Sequence, residues 1–218
     1  MTAPNFAIQQ ILVSGNSQVS SEKIRNLAEI KKGDNIFSKL GIVMKVKIKQ
    51  NGGIEDVQIN KIYPNKVEIQ VKERIKQFQI QTESGGYIDI DEQGYIFGQG
   101  TEKIEIPTII GMDITENEVS TLKRLTEKDL NKMENILQIR EQFKNLEIAD
   151  KITQIDVKEE YIITLGNEGI TINLGDCTDL KIRMYFVDGL LEKEAGNKGI
   201  IYVNGNVNEN FTSYFSPQ

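Results

Sequence analysis

The alternation of apolar and polar positions over residues 5–74 predicts a small domain of three strands and two helices. A mostly apolar run over residues 6–13 predicts the first strand, which the turn sequence Ser14-Gly15-Asn16 ends. Apolar residues at helical spacing predict helices around residues 24–28 and 40–47, and alternation predicts strands over residues 54–62 and 66–71. The predicted order is therefore strand, helix, helix, strand, strand.

Local signals support the ends of these elements. Ser20 is placed to cap the first helix, since its hydroxyl can accept a hydrogen bond from an otherwise unpaired backbone N–H. Tyr63-Pro64-Asn65 predicts the turn between the last two strands, because Pro fixes one backbone dihedral and Asn tolerates an unusual one.

Residues 77–218 have a different order of elements. Alternating or continuous apolar runs predict strands over residues 78–80, 87–90, 95–97, 152–157, 161–165, 170–174 and 199–203. One amphipathic helix begins at the capping pair Thr126 and Asp129, and a second, containing Leu180 and Leu191, ends before Gly196. The two halves show no internal repeat. We therefore predict an α+β protein with one domain over residues 1–76 and a mixed β-sheet domain with two main helices over residues 77–218.

Composition limits the chemistry available to the chain. Hydrophobic residues make up 39% of it, which is enough to bury a core. The absence of His removes the commonest general base and imidazole metal ligand, and the single Cys177 excludes an internal disulfide or a Cys-rich zinc site. No uninterrupted apolar run exceeds four residues, whereas a membrane-spanning helix needs about 20. We expect no cofactor and no metal.

Charge is divided unevenly between the predicted domains. Residues 1–76 contain 13 Lys and Arg against 7 Asp and Glu, a net charge of +6, and residues 77–218 contain 13 against 25, a net charge of -12. Two interpretations of the basic domain stay open: it lies against an anionic lipid surface, or its lysines are simply solvated. Nucleic acid is a poor partner for the whole chain, because phosphates would repel the larger acidic half.

Three short patterns suggest chemistry, and each has a plainer explanation. Ser20-Ser21-Glu22-Lys23 fits the Ser-x-x-Lys of penicillin-recognising enzymes, but its companion motifs are missing and an N-cap accounts for Ser20. The sequence from Asp89 to Gly94 resembles the start of a calcium loop, but Gly100 occupies the position of the bidentate Glu, so a hairpin turn is favoured. Glu159-Glu160 is better explained as a polar turn than as a catalytic pair. We expect no catalytic residues and no enzymatic activity.

The positive signal for binding lies near the C-terminus. The run Ile200-Ile201-Tyr202-Val203 is strongly β-forming, and an Asn-rich segment with several aromatic residues follows it. If this run is the last strand of an open sheet, its free backbone groups offer a template for a partner strand. The alternative is that the run is paired on both sides. The predicted partner-binding residues are Ile200, Ile201, Tyr202, Val203, Asn204, Gly205, Asn206, Phe211, Tyr214 and Phe215.

Several motifs follow one another along the chain: the sequence from Ile8 to Asn16, Gly33-Asp34-Asn35-Ile36-Phe37, Tyr63-Pro64-Asn65 with Val71-Lys72-Glu73-Arg74, the sequence from Gly86 to Phe97, and Ile106 to Gly111. In this order they resemble the extracytoplasmic region of FtsQ/DivIB bacterial cell-division proteins, which is a POTRA domain followed by a β domain. Together they extend over most of the chain.

This resemblance implies a scaffold for the division machinery. Its partners would be FtsB/DivIC-like and FtsL-like proteins, with other membrane-bound division proteins contacting the POTRA domain. It also implies a cytoplasmic tail and a single membrane helix preceding residue 1, with this region on the outer side of the cell membrane at the septum. The family's last strand often reads Ile-Asp-Val-Arg, where this chain has Tyr202 and Asn204 at the two charged positions. A POTRA-containing secretion or barrel-assembly protein is the alternative.

Overall fold

The computed structural model describes residues 6–120, 123–166 and 168–218. The chain divides into two compact units, Met1–Ile75 and Lys76–Gln218, so the division lies one residue before the boundary predicted from the sequence. Residue 5, where the predicted order of elements was taken to begin, lies outside the described residues.

The first domain has the predicted order of elements. It contains β1 (Gln10–Ser14), α1 (Ser21–Leu27), α2 (Gly41–Lys49), β2 (Ile54–Ile62) and β3 (Lys66–Glu73). The sheet order is β1-β3-β2, with β1 parallel and β2 antiparallel to the central β3. Both helices contribute to the core, through Ile24 on α1 and through Met44 and Ile48 on α2.

The first strand begins later than predicted. Residues 6–9 precede β1 and hydrogen-bond mainly to the loop between the helices, where the Ile8 N–H donates to the Asp34 carbonyl at 2.8 Å. The Gly33 N–H in turn donates to the Ile8 carbonyl at 2.8 Å. The apolar run is therefore continuous in sequence, but only its second half lies in the sheet.

Two predicted local structures are present in the first domain. The Ser20 hydroxyl accepts a hydrogen bond from the Lys23 N–H at 3.2 Å, so Ser20 caps α1. Gly15 has a φ of +80°, and a Cβ atom there would overlap the Val71 carbonyl of β3. Only glycine fits this turn, because it combines a left-handed conformation with close backbone contact.

The second domain is built on one nine-stranded sheet. Its strands are β4 (Phe78–Gln81), β5 (Tyr87–Ile90), β6 (Ile96–Gly100), β7 (Thr108–Ile110), β8 (Ile152–Asp156), β9 (Ile162–Leu165), β10 (Ile170–Asn173), β11 (Gly199–Asn204) and β12 (Thr212–Pro217). The sheet order is β12-β11-β10-β9-β8-β7-β4-β5-β6. The predicted α+β architecture is thus confirmed, and β7 and β12 are strands that the sequence reasoning missed.

Two long helices share one hydrophobic core with this sheet. They are α3 (Glu127–Asn145), which carries buried Ile136 and Phe143, and α4 (Leu180–Lys193), which carries buried Val187. Thr126 caps α3 as predicted, with the Asp129 N–H directed at its hydroxyl. The helix α4 connects β10 to β11, which are parallel neighbours.

Candidate partner-binding site

The strand β11 is an interior strand of the sheet. It runs parallel to β10, with Ile172 opposite Ile201, and antiparallel to β12, with Ile201 opposite Phe215. The prediction that residues 200–203 form the last strand, with a free edge, is therefore wrong. The terminal strand is β12, and of the strands in the described part of the chain only β11 is paired with it.

The Asn-rich segment after β11 forms the loop of a β-hairpin, over residues 205–211. Gly205 has a φ of +84°, and the Asn206 N–H donates to the Asn210 side-chain oxygen at 2.8 Å. The Asn208 N–H donates to the Asn206 side-chain oxygen at 2.9 Å. These side chains satisfy backbone groups inside the loop, so the chain reverses and returns as β12.

The two faces of β11 have different environments. Ile201 and Val203 are fully buried in the core, whereas Ile200, Tyr202 and Asn204 are partly exposed. The sequence prediction placed all five in one site, but alternate side chains of a strand point to opposite faces. Ile201 and Val203 therefore hold the strand in place and are not available to a partner.

An aromatic pair lies across the hairpin on its more exposed face. Tyr202 and Tyr214 are directly opposite in the register, and their rings stack with centroids 4.7 Å apart. Tyr214 lies on the terminal strand and is 49% exposed. The two rings form a rigid apolar surface beside the free edge of β12.

The opposite face of the hairpin is anchored to the core. Phe215 packs against the core cluster, and its ring lies where a side chain at Gly199 would be. Phe211 is also partly buried, with its ring centroid 5.2 Å from that of Phe186 on α4. Of the predicted aromatic residues, Phe211 and Phe215 therefore fix β12 to the domain, while Tyr214 is presented to solvent.

A buried arginine joins α4 to the end of β11. The Arg183 side chain is fully buried and donates to the carbonyls of Val203 at 2.5 Å and Gly205 at 2.9 Å. It also donates to the Thr178 carbonyl at 2.5 Å and to the Asp176 carboxylate at 2.9 Å. These contacts fix the start of the hairpin loop relative to α4.

A separate group of exposed apolar residues lies on α4, which packs on the core side of the sheet, opposite to the stacked tyrosines. Ile182, Tyr185 and Phe186 have the i, i+3, i+4 spacing of one helix face, and Tyr185 is 77% exposed. Sequence reasoning assigned only the core positions of α4 and missed these residues. The signal was available, because apolar residues occupy more of α4 than one core-facing stripe requires.

The acidic sequence patterns considered above as calcium-binding or catalytic form hydrogen bonds within turns. The Asp91 carboxylate accepts the N–H groups of Gln93 at 2.9 Å and Tyr95 at 2.8 Å, as expected of the predicted hairpin turn. The Glu160 carboxylate accepts the Asn173 amide at 2.6 Å in the turn region between β8 and β9. Within residues 6–120, 123–166 and 168–218, no group of three His, Cys, Asp or Glu side chains is placed to hold a metal ion.

Two further observations concern reactivity and membrane insertion. Burial raises the pKa of the Cys177 thiol to about 12, despite the opposing effect of nearby Arg183, so the thiol is protonated at neutral pH. None of the helices in the described residues is long and apolar enough to cross a bilayer.

Comparison with known proteins gives a consistent family. Residues 6–74 match the POTRA domain, FtsQ-type. The cell division protein DivIB of Clostridium tetani (strain Massachusetts / E88) is 30% identical over 204 residues, which cover 88% of this chain and 72% of the relative. DivIB of Clostridium botulinum (strain Loch Maree / Type A3) is 26% identical over 200 residues, 89% of this chain and 76% of the relative. The cell division protein FtsQ of Syntrophotalea carbinolica is 22% identical over 209 residues, covering 93% and 71%.

Proposed function

The chain belongs to the DivIB/FtsQ family of cell division proteins, and from this premise we propose that it acts as a non-enzymatic scaffold of the division machinery. A role in cell division follows from the family. The proposal adds that the protein recruits and positions FtsB/DivIC-like and FtsL-like proteins at the septum. Through them it regulates septal peptidoglycan synthesis.

The observation that carries this proposal is the terminal position of β12 in the sheet. An edge strand has unpaired backbone N–H and C=O groups along one side, and a partner segment in extended conformation pairs with them. The docking strand is therefore residues 212–217 and not residues 200–203. The latter support it from the interior.

Selectivity would come from side chains beside the edge. The stacked Tyr202 and Tyr214 rings offer a flat apolar contact on one face of the hairpin. Aromatic side chains of this kind dominate the energetics of many protein interfaces. On β11, Tyr202 and Asn204 replace the charged residues common in the family, so β11 offers no side chain for a salt bridge at these positions. Recognition therefore depends on backbone pairing with β12 and on aromatic contact.

The proposal includes a location and additional partners. In the full-length protein one membrane helix would hold this region on the outer side of the cell membrane at the septum, and the first domain would contact other membrane-bound division proteins. The relatives described above are division proteins, and the second domain has a nine-stranded sheet, not another three-stranded POTRA sheet. Both observations favour division over the secretion or barrel-assembly alternative.

Calorimetric titration tests the docking strand. The 218-residue chain is titrated with the extracellular segment of the same organism's DivIC-like protein, with and without the FtsL-like segment. The same titration is made with Tyr214→Ala, which removes an exposed ring, and with a truncation ending at Asn210, which removes β12. Ile104→Ala is the matched control, since Ile104 is exposed and follows β6 at the other end of the sheet.

We expect Tyr214→Ala to weaken binding by roughly tenfold to a hundredfold, as is common for a central aromatic contact, and the truncation to abolish it. Ile104→Ala should bind as the unaltered chain does. Unchanged binding by a folded truncation would refute β12 as the docking strand while leaving the scaffold proposal in place. If the unaltered chain fails to bind even with both partner segments present, the scaffold proposal itself loses its support.

A further inference from the structure

The second helix of the first domain is apolar on two opposite sides. Met44 and Ile48 face inwards and are buried, where α2 packs against α1 and β2. Ile42 is 65% exposed and Val46 is 56% exposed, and their i, i+4 spacing places them together on the outward side. A surface helix normally keeps polar residues on this side. An exposed apolar stripe of this kind marks a contact with something else.

Large exposed side chains continue the stripe at the beginning of the helix. Leu40, the N-cap residue of α2, is 66% exposed. Phe37 lies three residues earlier and is also exposed, with its ring stacked on Tyr63 at 5.1 Å between centroids. Aromatic rings with a polar tip, such as Tyr63, favour the boundary between apolar and aqueous environments.

Lysine side chains surround the stripe. The helix sequence GIVMKVKIK contains three Lys and no acidic residue, and Lys39 precedes it. Lys39 and Lys47 share the Glu29 carboxylate, with N–O distances of 2.9 and 2.6 Å. Lys45 and Lys49 share Asp56, at 2.9 and 3.6 Å.

Four ammonium groups thus face two carboxylates, which leaves the border of the stripe positively charged. The carboxylates also hold the ammonium groups in place, and hydrogen bonds and ion pairs with Lys47 and Lys39 lower the pKa of Glu29 to about 2. Together with the net charge of +6 on residues 1–76, this border complements a surface of negative charge.

We propose that the surface formed by Phe37, Leu40, Ile42, Val43 and Val46, with its border of lysines, rests on an anionic phospholipid bilayer. The apolar side chains enter the headgroup layer, and the lysine stems extend over lipid while their ammonium groups meet the phosphates. Each lysine near such a surface contributes attraction that added salt weakens. This contact is independent of the partner-binding site proposed on β12.

Vesicle flotation of the 218-residue chain tests the proposal. One set of vesicles contains phosphatidylglycerol and phosphatidylcholine in equal parts, and the other contains phosphatidylcholine alone. Ile42→Ser with Val46→Ser removes the centre of the stripe, while Leu12→Ser changes an exposed apolar residue on β1 as the matched control. Lys45→Gln with Lys49→Gln removes two border charges, and Lys66→Gln with Lys72→Gln removes two charges from β3.

We expect the unaltered chain to bind only the anionic vesicles, and less as salt rises from about 50 to 500 mM. The Ile42/Val46 variant should bind about tenfold more weakly or worse, because two apolar side chains no longer leave water. Leu12→Ser should bind the vesicles as the unaltered chain does. Loss of the two α2 lysines should weaken vesicle binding more than loss of the two β3 lysines. No binding by the unaltered chain, or equal binding by the Ile42/Val46 variant, overturns the proposal. Equal losses from the two lysine pairs also overturn it, since they indicate attraction by net charge alone.

Discussion

Glu73 connects the end of β3 to the loop that precedes α1, and its removal gives the sharpest test of how the first domain is held together. One carboxylate oxygen accepts the Ser17 N–H and the Gln18 N–H, both at 2.9 Å, and the Ser17 hydroxyl at 2.7 Å. The other accepts the Val19 N–H at 2.7 Å. Glu73→Gln keeps the shape but turns one acceptor into an amide N–H₂ that faces backbone donors.

The magnitude follows from the pKa of this carboxyl group. Burial raises its pKa, but the hydrogen bonds from Gln18, Ser17 and Val19 outweigh that effect and lower it from 4.5 to about 2. The difference of about 2.5 between these two pKa values corresponds to about 3.4 kcal/mol, since a difference of 1 in pKa is worth about 1.36 kcal/mol. Since Glu73 is only partly buried, solvent screening reduces this value, and we expect Glu73→Gln to cost about 2 kcal/mol.

Urea denaturation with pulsed hydrogen exchange and mass spectrometry measures this cost. Peptides from β1 and β3 report the first domain, and peptides from β9 and β10 in the same molecule serve as the internal reference. Glu68→Gln is the matched control, because Glu68 lies on the same strand and forms a surface ion pair with Lys66. Its removal should cost less than about 0.5 kcal/mol.

The stabilisation by Glu73 also depends on pH in a defined direction. The folded-state pKa is lowered, so the contribution is complete above the unfolded pKa of 4.5 and is lost as the pH falls towards about 2. The difference between the unaltered chain and Glu73→Gln should therefore be largest at pH 7 and shrink between pH 4.5 and 2. A difference below about 0.5 kcal/mol at pH 7, or one that grows on acidification, would refute the reasoning.

The remaining predictions concern the second domain. Gly199→Ala should destabilise this domain by about 1–3 kcal/mol in urea denaturation, because the added Cβ overlaps the Ser216 carbonyl. Gly189→Ala in α4 should instead stabilise it by about 0.5–1 kcal/mol, because the space around Gly189 is open and Ala favours a helix. Equal effects of the two changes would contradict this. Arg183→Met should cost at least about 2 kcal/mol, since it leaves the Val203 carbonyl without its donor, and hydrogen exchange should rise first at the β11–β12 loop. Exchange that rises uniformly over the domain would argue against a local role.

Much of the fold was predictable because its elements are marked by local signals. Ser20 and Thr126 cap helices as expected, and the turn at residues 63–65 joins β2 to β3. The start of β1 was not predictable from periodicity, because residues 6–9 are as apolar as the strand but hydrogen-bond mainly to a loop that is distant in sequence. An apolar run indicates burial, and it does not identify the backbone partner.

The sequence reasoning placed a free sheet edge on residues 200–203, whereas the strand at that end of the sheet is β12. The sequence from Thr212 to Ser216 is short and rich in Ser, so its alternation is weak compared with that of Ile200–Val203. The pairing of this strand with β11 depends on a loop that is held by the hydrogen bond between Asn206 and Asn210. From composition alone, the same Asn-rich segment looks like a polar tail. Arg183 was also unpredictable as a buried residue, since three of its acceptors are backbone carbonyls, which carry no sequence signal.

The parallel pairing of β10 and β11 has a consequence for the order in which the proposed docking edge is assembled. Parallel neighbours require a long connection, and here α4 provides it. Among the strands that the structure describes, β12 pairs with β11 alone, so its edge has the right geometry only after α4 has docked and β11 has joined the sheet. Such contacts between distant parts of a chain form late in folding. A partner that binds this edge therefore binds only molecules whose second domain has finished folding. Incompletely folded molecules do not compete for that partner.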